Sequence, residues 1–428
     1  MIRNDGFAKA SKALGALAAA ALVLAAAGNA MAAWDTPTDI SGPGVSNGSS
    51  IDLKIDGKGR AVALWYETGV DYIYHLVASL RKPGGTFAGG AQISGGDMNA
   101  NWPSIVTSKK GHIVIGWLHS DGSNVTPQVA TAAPGAASFG NPEDIPLDGG
   151  APSTLVLGMD GKGNLTAGWE DMRMSGYFPT VTTRPVGGTF STPLALSSQG
   201  ASGTKIFVSP KGKTVVTWFN YDGMIYAEKA AVRPAGGTFG PDVQLNDAMS
   251  QASWNAGAFD RKGNLFVGWG GHGATLPADS TTFDAPVSTP VGDNATQFAF
   301  DKKGNLLALW TSYLYTARFA SRPAGGDFGV TNDLSTPMAS AYTGGFAVDK
   351  KGNARAVWLE YDGTHNRVYT ALRPAGGTFG TPEVLSPADV DTQSPRLILS
   401  KKGKATIAWL QSDTMGSNWR VMVTNELK

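Results

Sequence analysis

Cysteine is absent from all 428 residues, which excludes a disulfide framework, a thiolate metal centre and a cysteine nucleophile. Net charge is almost absent as well. The 35 basic and 34 acidic side chains leave +1, so no global field draws the chain toward nucleic acid or a membrane surface. The histidines, His75, His112, His119, His272 and His365, are scattered without the spacing of a metal centre. No acidic loop has the EF-hand pattern, and Asp389-Val390-Asp391 could hold Ca²⁺ only loosely, so no cofactor is expected beyond such a weak structural Ca²⁺. The glycines sit in hairpin turns rather than in a phosphate-binding loop. No local signature of a serine hydrolase is present. Aromatics do not interleave with the basic turns, which argues against base stacking and hence against nucleic acid.

Only one long apolar run exists, Leu14 to Ala27, too short for a comfortable membrane span. It follows the basic residues Arg3, Lys9 and Lys12 and precedes Ala30-Met31-Ala32. Residues 1–32 therefore read as a cleavable signal peptide, with the mature chain starting at Ala33 in the periplasm or outside the cell. No membrane insertion of the mature chain is expected.

Glycine, by contrast, is plentiful, with 56 copies, and it marks a repeat. The stretch Phe300-Asp301-Lys302-Lys303-Gly304-Asn305-Leu306-Leu307-Ala308-Leu309-Trp310 recurs with variation, its tryptophan falling at Trp65, Trp117, Trp169, Trp218, Trp269, Trp310, Trp358 and Trp409. Steps of roughly 40–50 residues are the period of a repeated supersecondary unit. The fourth unit shows the grammar. An alternating strand a (Thr204 to Val208) turns at Pro210-Lys211-Gly212-Lys213 into strand b (Thr214 to Phe219). After Tyr221-Asp222-Gly223 comes strand c (Met224 to Val232), and after Arg233-Pro234-Ala235-Gly236-Gly237-Thr238 a short strand d (Phe239 to Leu245). Tandem units of four antiparallel strands make an all-β, eight-bladed β-propeller over residues 33–428. The last unit stops before a strand d. Residues 33–41, whose Trp34-Asp35-Thr36-Pro37 resembles Phe379-Gly380-Thr381-Pro382, are expected to pair with the C-terminal repeat, 394–425, and close the ring. The fifth unit departs from the pattern: Trp269 to Phe283 is about seven residues shorter than Trp218 to Phe239, which predicts a truncated b–c hairpin.

The a–b and c–d turns repeat almost verbatim, whereas the b–c and d–a loops vary. Function is expected on the variable face. Three sets of residues map there. Asp52, Lys205, Gln297 and Arg396 start strand a near the central channel. Glu67, His119, Asp171, Asn220 and Glu360 stand two residues after the repeated tryptophan. Trp102 and Trp254 stand nine before the turn glycine. Aromatic and polar groups at a concave mouth suit a sugar or another small polar ligand. On the invariant face, the lysines of the a–b turns and Arg184, Arg233, Arg322 and Arg373 of the c–d turns would form a basic ring.

The Asp-Lys-Lys-Gly-Asn…Trp hairpins, such as Asp301 to Trp310, resemble those of secreted bacterial β-propellers of the broad sialidase-like group, including lectins built on that plan. In the sialidase Asp-box glycine follows aspartate by two and tryptophan follows glycine by three; here the intervals are three and six. No arginine-isoleucine-proline segment stands near the mature start to begin an arginine triad. The resemblance implies the fold and export more than sialidase activity. The expectation is an exported, non-catalytic module that recognises a glycan or polar ligand. One alternative is a glycoside hydrolase using Glu67, Glu170, Asp171 and Glu360, since such enzymes need paired carboxylates. The other is a scaffold for a second exported protein.

Overall fold

The computed structural model describes residues 33–427, apart from 42–49, 69–72, 96–98, 199, 222, 247–253, 292–295, 415 and 417. The expected signal peptide lies outside the described residues. Eight antiparallel sheets follow one another along the chain, and the protein is an eight-bladed β-propeller with four strands per blade. Blade 4 shows the order: Ser202–Val208, Thr214–Tyr221, Tyr226–Arg233 and Val243–Gln244. In blade 3 the inner strand is broken into Ala151–Pro152 and Val156–Met159, both pairing with Leu165–Arg173.

The repeated tryptophans form the core. All eight are at most 1% exposed. Each anchors one apolar cluster between neighbouring blades, and each cluster also contains the aromatic residue that follows the c–d turn. Trp218 packs with Phe239, Trp310 with Phe328 and Trp358 with Phe379. In the last seam Trp34 takes the phenylalanine's place beside Trp409. Burial of an indole removes roughly 150–250 Å² from water. At about 25 cal/mol/Å² that is at most about 4–6 kcal/mol per seam, since a collapsed denatured chain already hides part of it.

The ring closes as the sequence implies. Thr38 and Asp39 pair with Val423 and Met422, completing the sheet of blade 8. The Asp35 carboxylate accepts from the Asn425 backbone N–H (2.6 Å) and the Thr424 hydroxyl (2.8 Å), and Arg420 reaches Asp39 at 2.7 Å.

The repeated Asp-x-x-Gly-Asn turn is a structural clasp. In blade 6 the Asp301 Oδ1 accepts the backbone N–H groups of Lys303 and Asn305 (2.8 and 2.9 Å), while Oδ2 accepts the Asn305 amide (2.8 Å). The Asn305 Oδ1 then accepts the Ala324 N–H of the c–d turn at 3.1 Å. Gly304 supplies the positive φ of +86° that the turn requires. Blades 3, 5 and 7 repeat the clasp through Asn164, Asn264 and Asn353. One aspartate and one asparagine thus tie the two turns of a blade together.

The expected basic ring is only half present. The a–b lysines are exposed, but the c–d arginines lie in the seams between blades. Arg81 reaches Asn425 and Thr406 of blade 8, Arg184 reaches Glu143 and Thr131 of blade 2, and Arg233 reaches Thr166 of blade 3. Arg373, in blade 7, lies over Phe319 of blade 6 at 5.2 Å. Blades 2, 5 and 8 lack that arginine, and there the preceding blade supplies the cation. Arg60 donates to the carbonyls of Gly111, Ala132, Ala133 and Ala136. Lys213 donates to Pro277 and Ser280, both at 2.7 Å. Arg355 pairs with Glu426 at 2.6 Å and lies over the Trp34 ring. A buried carbonyl without a donor costs about 1–3 kcal/mol, so a missing seam cation must be replaced from one side or the other.

Candidate functional site at the channel mouth

The inner strands start at the face that carries the variable loops, and their first residues surround the central opening. Three connected hollows lie there. The first, about 190 Å³, is bordered by Asp52, Tyr66, Pro103 and Arg396. The second, about 480 Å³, shares Asp52 and Arg396 and adds Gln297, Thr343 and Phe346. The third, about 590 Å³, shares Gln297 and Phe346 and adds Lys205, Trp254, Asn255, Phe207, Phe219 and Phe298. Asp52, Lys205, Gln297, Arg396 and Trp254 are therefore brought to one continuous trough. Its charged groups are lightly engaged. The Asp52 carboxylate accepts the Leu53 N–H (2.8 Å) and stands 3.6 Å from the Lys54 ammonium. The Arg396 guanidinium donates to the Pro395 carbonyl at 3.0 Å. The Lys205 side chain is exposed.

Trp102 stands at the edge of the first hollow, next to Pro103. Its backbone meets the Tyr66 hydroxyl, whose pKa burial pushes up. The ring is 59% exposed. The backbone is unusual: the inner strand of blade 2 slips register between Asn101 and Ser104, and Trp102 takes φ +52° within that bulge. At the same place in blade 4, between Ser202 and Lys205, stands Gly203 with φ +67°, and in blade 8 Ser394 with φ +50°. A left-handed conformation costs a bulky L-residue about 1–2 kcal/mol, and glycine almost nothing. Blade 2 thus spends strain to hold an uncovered indole at the mouth. Trp254, at the equivalent position of blade 5, has a different fate: it is half-buried against Phe266 and Phe298 and forms part of the wall.

The residues two after the core tryptophan are not gathered at the opening. Several close the core beneath it. Glu67 accepts the indole N–H of Trp65 at 2.8 Å, and Glu360 that of Trp358 at 3.0 Å. Burial raises the Glu67 pKa, against the lowering effects of that indole and of His75. Asp171 is buried, bonded to Arg173 at 2.7 Å and covered by Gly150, where an added Cβ would come within 2.1 Å of its carboxylate. Asn220 donates to the Gly200 carbonyl at 2.8 Å. His119 is half-buried on strand Ile113–Ser120. Glu170 accepts the Thr204 N–H at 3.0 Å. The four carboxylates of the hydrolytic alternative stand on blades 1, 3 and 7, each already holding a protein donor.

Sequence reasoning missed the phenylalanines of the third hollow. Phe298 and Phe346, apolar residues of the inner strands, both line the opening. Phe219 turns inward because Gly203 stands across from it; a Cβ there would come within 2.5 Å of the ring. The tyrosines of the variable loops were missed too. Tyr74, Tyr221, Tyr226, Tyr315 and Tyr342 are all exposed on that face, with Tyr221 and Tyr226 centred 4.9 Å apart and Tyr315 and Tyr342 5.4 Å apart. No constant spacing from the core tryptophan marks them.

No family model matches the chain, and no curated protein matches it in sequence. Solved structures do share its fold. A lectin, BP39L from Burkholderia pseudomallei, matches with TM-score 0.53 and 12% identity over 79% of this chain and 100% of its own. The polysaccharide lyase Uly1 matches with TM-score 0.51 and 12% identity over 89% of this chain and 90% of its own. A PL25 ulvan lyase matches with TM-score 0.51 and 11% identity over 91% and 95%. At such identity the likeness speaks for the β-propeller architecture alone.

Proposed function

We propose that this chain is an exported saccharide-binding propeller, which takes a polar glycan in the trough across its channel mouth. The observation that carries the reading is Trp102: a bulky ring kept uncovered, in a strained conformation, beside a polar opening. Strain of this kind persists where the surrounding structure over-determines it, and it concentrates at ligand sites. An exposed indole offers a flat apolar face to a sugar ring, while Asp52, Gln297, Arg396 and Lys205 offer hydrogen bonds to its hydroxyls. That solved propellers of similar architecture include a lectin and polysaccharide lyases agrees with a glycan ligand. Export is proposed from the leader-like first 32 residues. Binding rather than hydrolysis is favoured because Glu67, Glu170, Asp171 and Glu360 lie on three different blades, with only Glu170 and Asp171 adjacent, and each is internally bonded.

A glycan array tests the proposal. The wild type is expected to retain a subset of glycans, and Trp102→Ala to lose them with an unchanged circular dichroism spectrum. Equal retention by the variant, or no retention by the wild type, overturns it. Turnover of a glycoside panel that disappears in Glu360→Gln would favour the hydrolytic reading instead.

A further inference from the structure

The opposite face holds one seam unlike the others. Between blades 5 and 6 the c–d arginine, Arg322, touches the neighbouring blade through the Phe266 ring but makes no hydrogen bond to it. Its Nε donates to the Gly326 carbonyl of its own turn at 2.6 Å, and its guanidinium carbon lies 5.8 Å from the centre of the Phe266 ring. Among the described residues its terminal N–H groups have no protein acceptor. The neighbouring blade is the short fifth unit. Its c–d turn keeps the clasp to Asn264, and beside Arg322 lies a cavity of about 390 Å³ bordered by Phe266, Phe300 and the turns 260–264, 301–306 and 322–325.

The charge in this cavity is mainly positive. Arg261, Lys262, Lys302, Lys303 and Arg322 line it. The lining carboxylates Asp260 and Asp301 are occupied by the clasps of their own turns. Only Asp284 presents an exposed negative group. In most other seams the cation is hydrogen-bonded inside the protein, and Arg373 is buried over Phe319; here the cation borders a hollow. We infer that the seam between blades 5 and 6 is a binding site for a dianionic oxyanion, a sulfate or phosphate group, held by the Arg322 guanidinium and the lysines of two adjacent turns. A planar guanidinium matches two oxygens of such a group, and charge-assisted bonds of this type are about twice as strong as neutral ones. The site lies on the other face from the saccharide trough and does not depend on that reading.

The test is titration of the full chain with inorganic sulfate and with inorganic phosphate at constant ionic strength, followed by calorimetry. Saturable binding of at least one is expected. Arg322→Gln and the exposed-site variant Lys303→Gln should each weaken it at least about tenfold. Lys402→Gln, in the equivalent turn of blade 8, and Trp102→Ala should leave it within about twofold, the range expected of a distant charge screened by salt. Absence of saturable binding for both anions overturns the site. So does an equal loss in Lys402→Gln, which would mean a diffuse lysine field.

Discussion

Trp102 and Glu228 are the two residues whose chemistry is most out of keeping with their surroundings. Trp102 pays for its exposure in backbone strain. Trp102→Gly should therefore unfold at a temperature no lower than wild type, because glycine accepts φ +52° freely, and should still lose glycan binding. Thermal melts alongside the array measure both; a large drop in melting temperature would mean that the ring is structural. Glu228 is fully buried in blade 4, bonded at 3.2 Å to the Asn255 amide. Burial holds its pKa well above the carboxylate range, outweighing the Asn255 and Thr217 hydrogen bonds. A carboxyl raised in the folded state contributes its full stability below its unfolded pKa and loses it as pH rises through the folded value. Glu228→Gln should thus match wild type near pH 4, just below the ordinary carboxyl pKa of about 4.3, and become progressively more stable than wild type as pH rises. Parallel melting curves across that range would refute the assignment.

At the scale of the element, the hairpin turn is the repeated device, and its two forms answer different needs. The Asp–Asn clasp joins the turns of one blade. The seam cation joins neighbouring blades. Arg60 shows the second most clearly, since its guanidinium satisfies carbonyls of blade 2 from blade 1. Arg60→Ala should cost about 2–3 kcal/mol, the penalty for buried acceptors left without donors, and chemical denaturation measures it. Asn164→Ala, which removes the two side-chain clasp bonds to Asp160 and Val186 in a half-exposed turn whose freed groups reach water, should cost less, about 1–2 kcal/mol. A reversal of that order would show that the seams do not need their cations. These devices were half legible. The motif Asp301-Lys302-Lys303-Gly304-Asn305 announced the turn, but not that asparagine serves the other hairpin. Arg60 and Lys213 follow the turn glycine in the blades that precede Ala132 and Leu276, where arginine is missing. That pairing carries meaning only once neighbouring blades are known to touch at those positions.

For the molecule as a whole, closure by the N-terminal strand is the controlling contact. Without residues 33–41, the outer edge of Trp419–Asn425 would be unpaired, and Trp409 would lose the Trp34 ring beside it. A chain starting after Ser41 should unfold at a markedly lower temperature than wild type and self-associate through the exposed edge, as light scattering during the melt would report. A truncated chain that stays monomeric with an unchanged melting temperature would show that closure adds nothing.

The sequence by itself determined the architecture. The turn glycine six residues before each tryptophan recurs eight times, and a unit divided between the two ends has a simple meaning only in a closed ring. Local patterns of this sort record the strand period and the turn geometry, which neighbours along the chain dictate. Tertiary structure alone decided which of those positions meet. Glu67 and Glu360 were equal to Asp52 and Arg396 as polar residues at strand ends, yet the first pair caps indoles and the second borders the channel. The twin tryptophans parted in the same way, because the bulge at Asn101–Ser104 turns Trp102 outward while Phe266 and Phe298 hold Trp254 in the wall. Burial and partnership depend on contacts between residues far apart in the chain, and no spacing within one repeat encodes them.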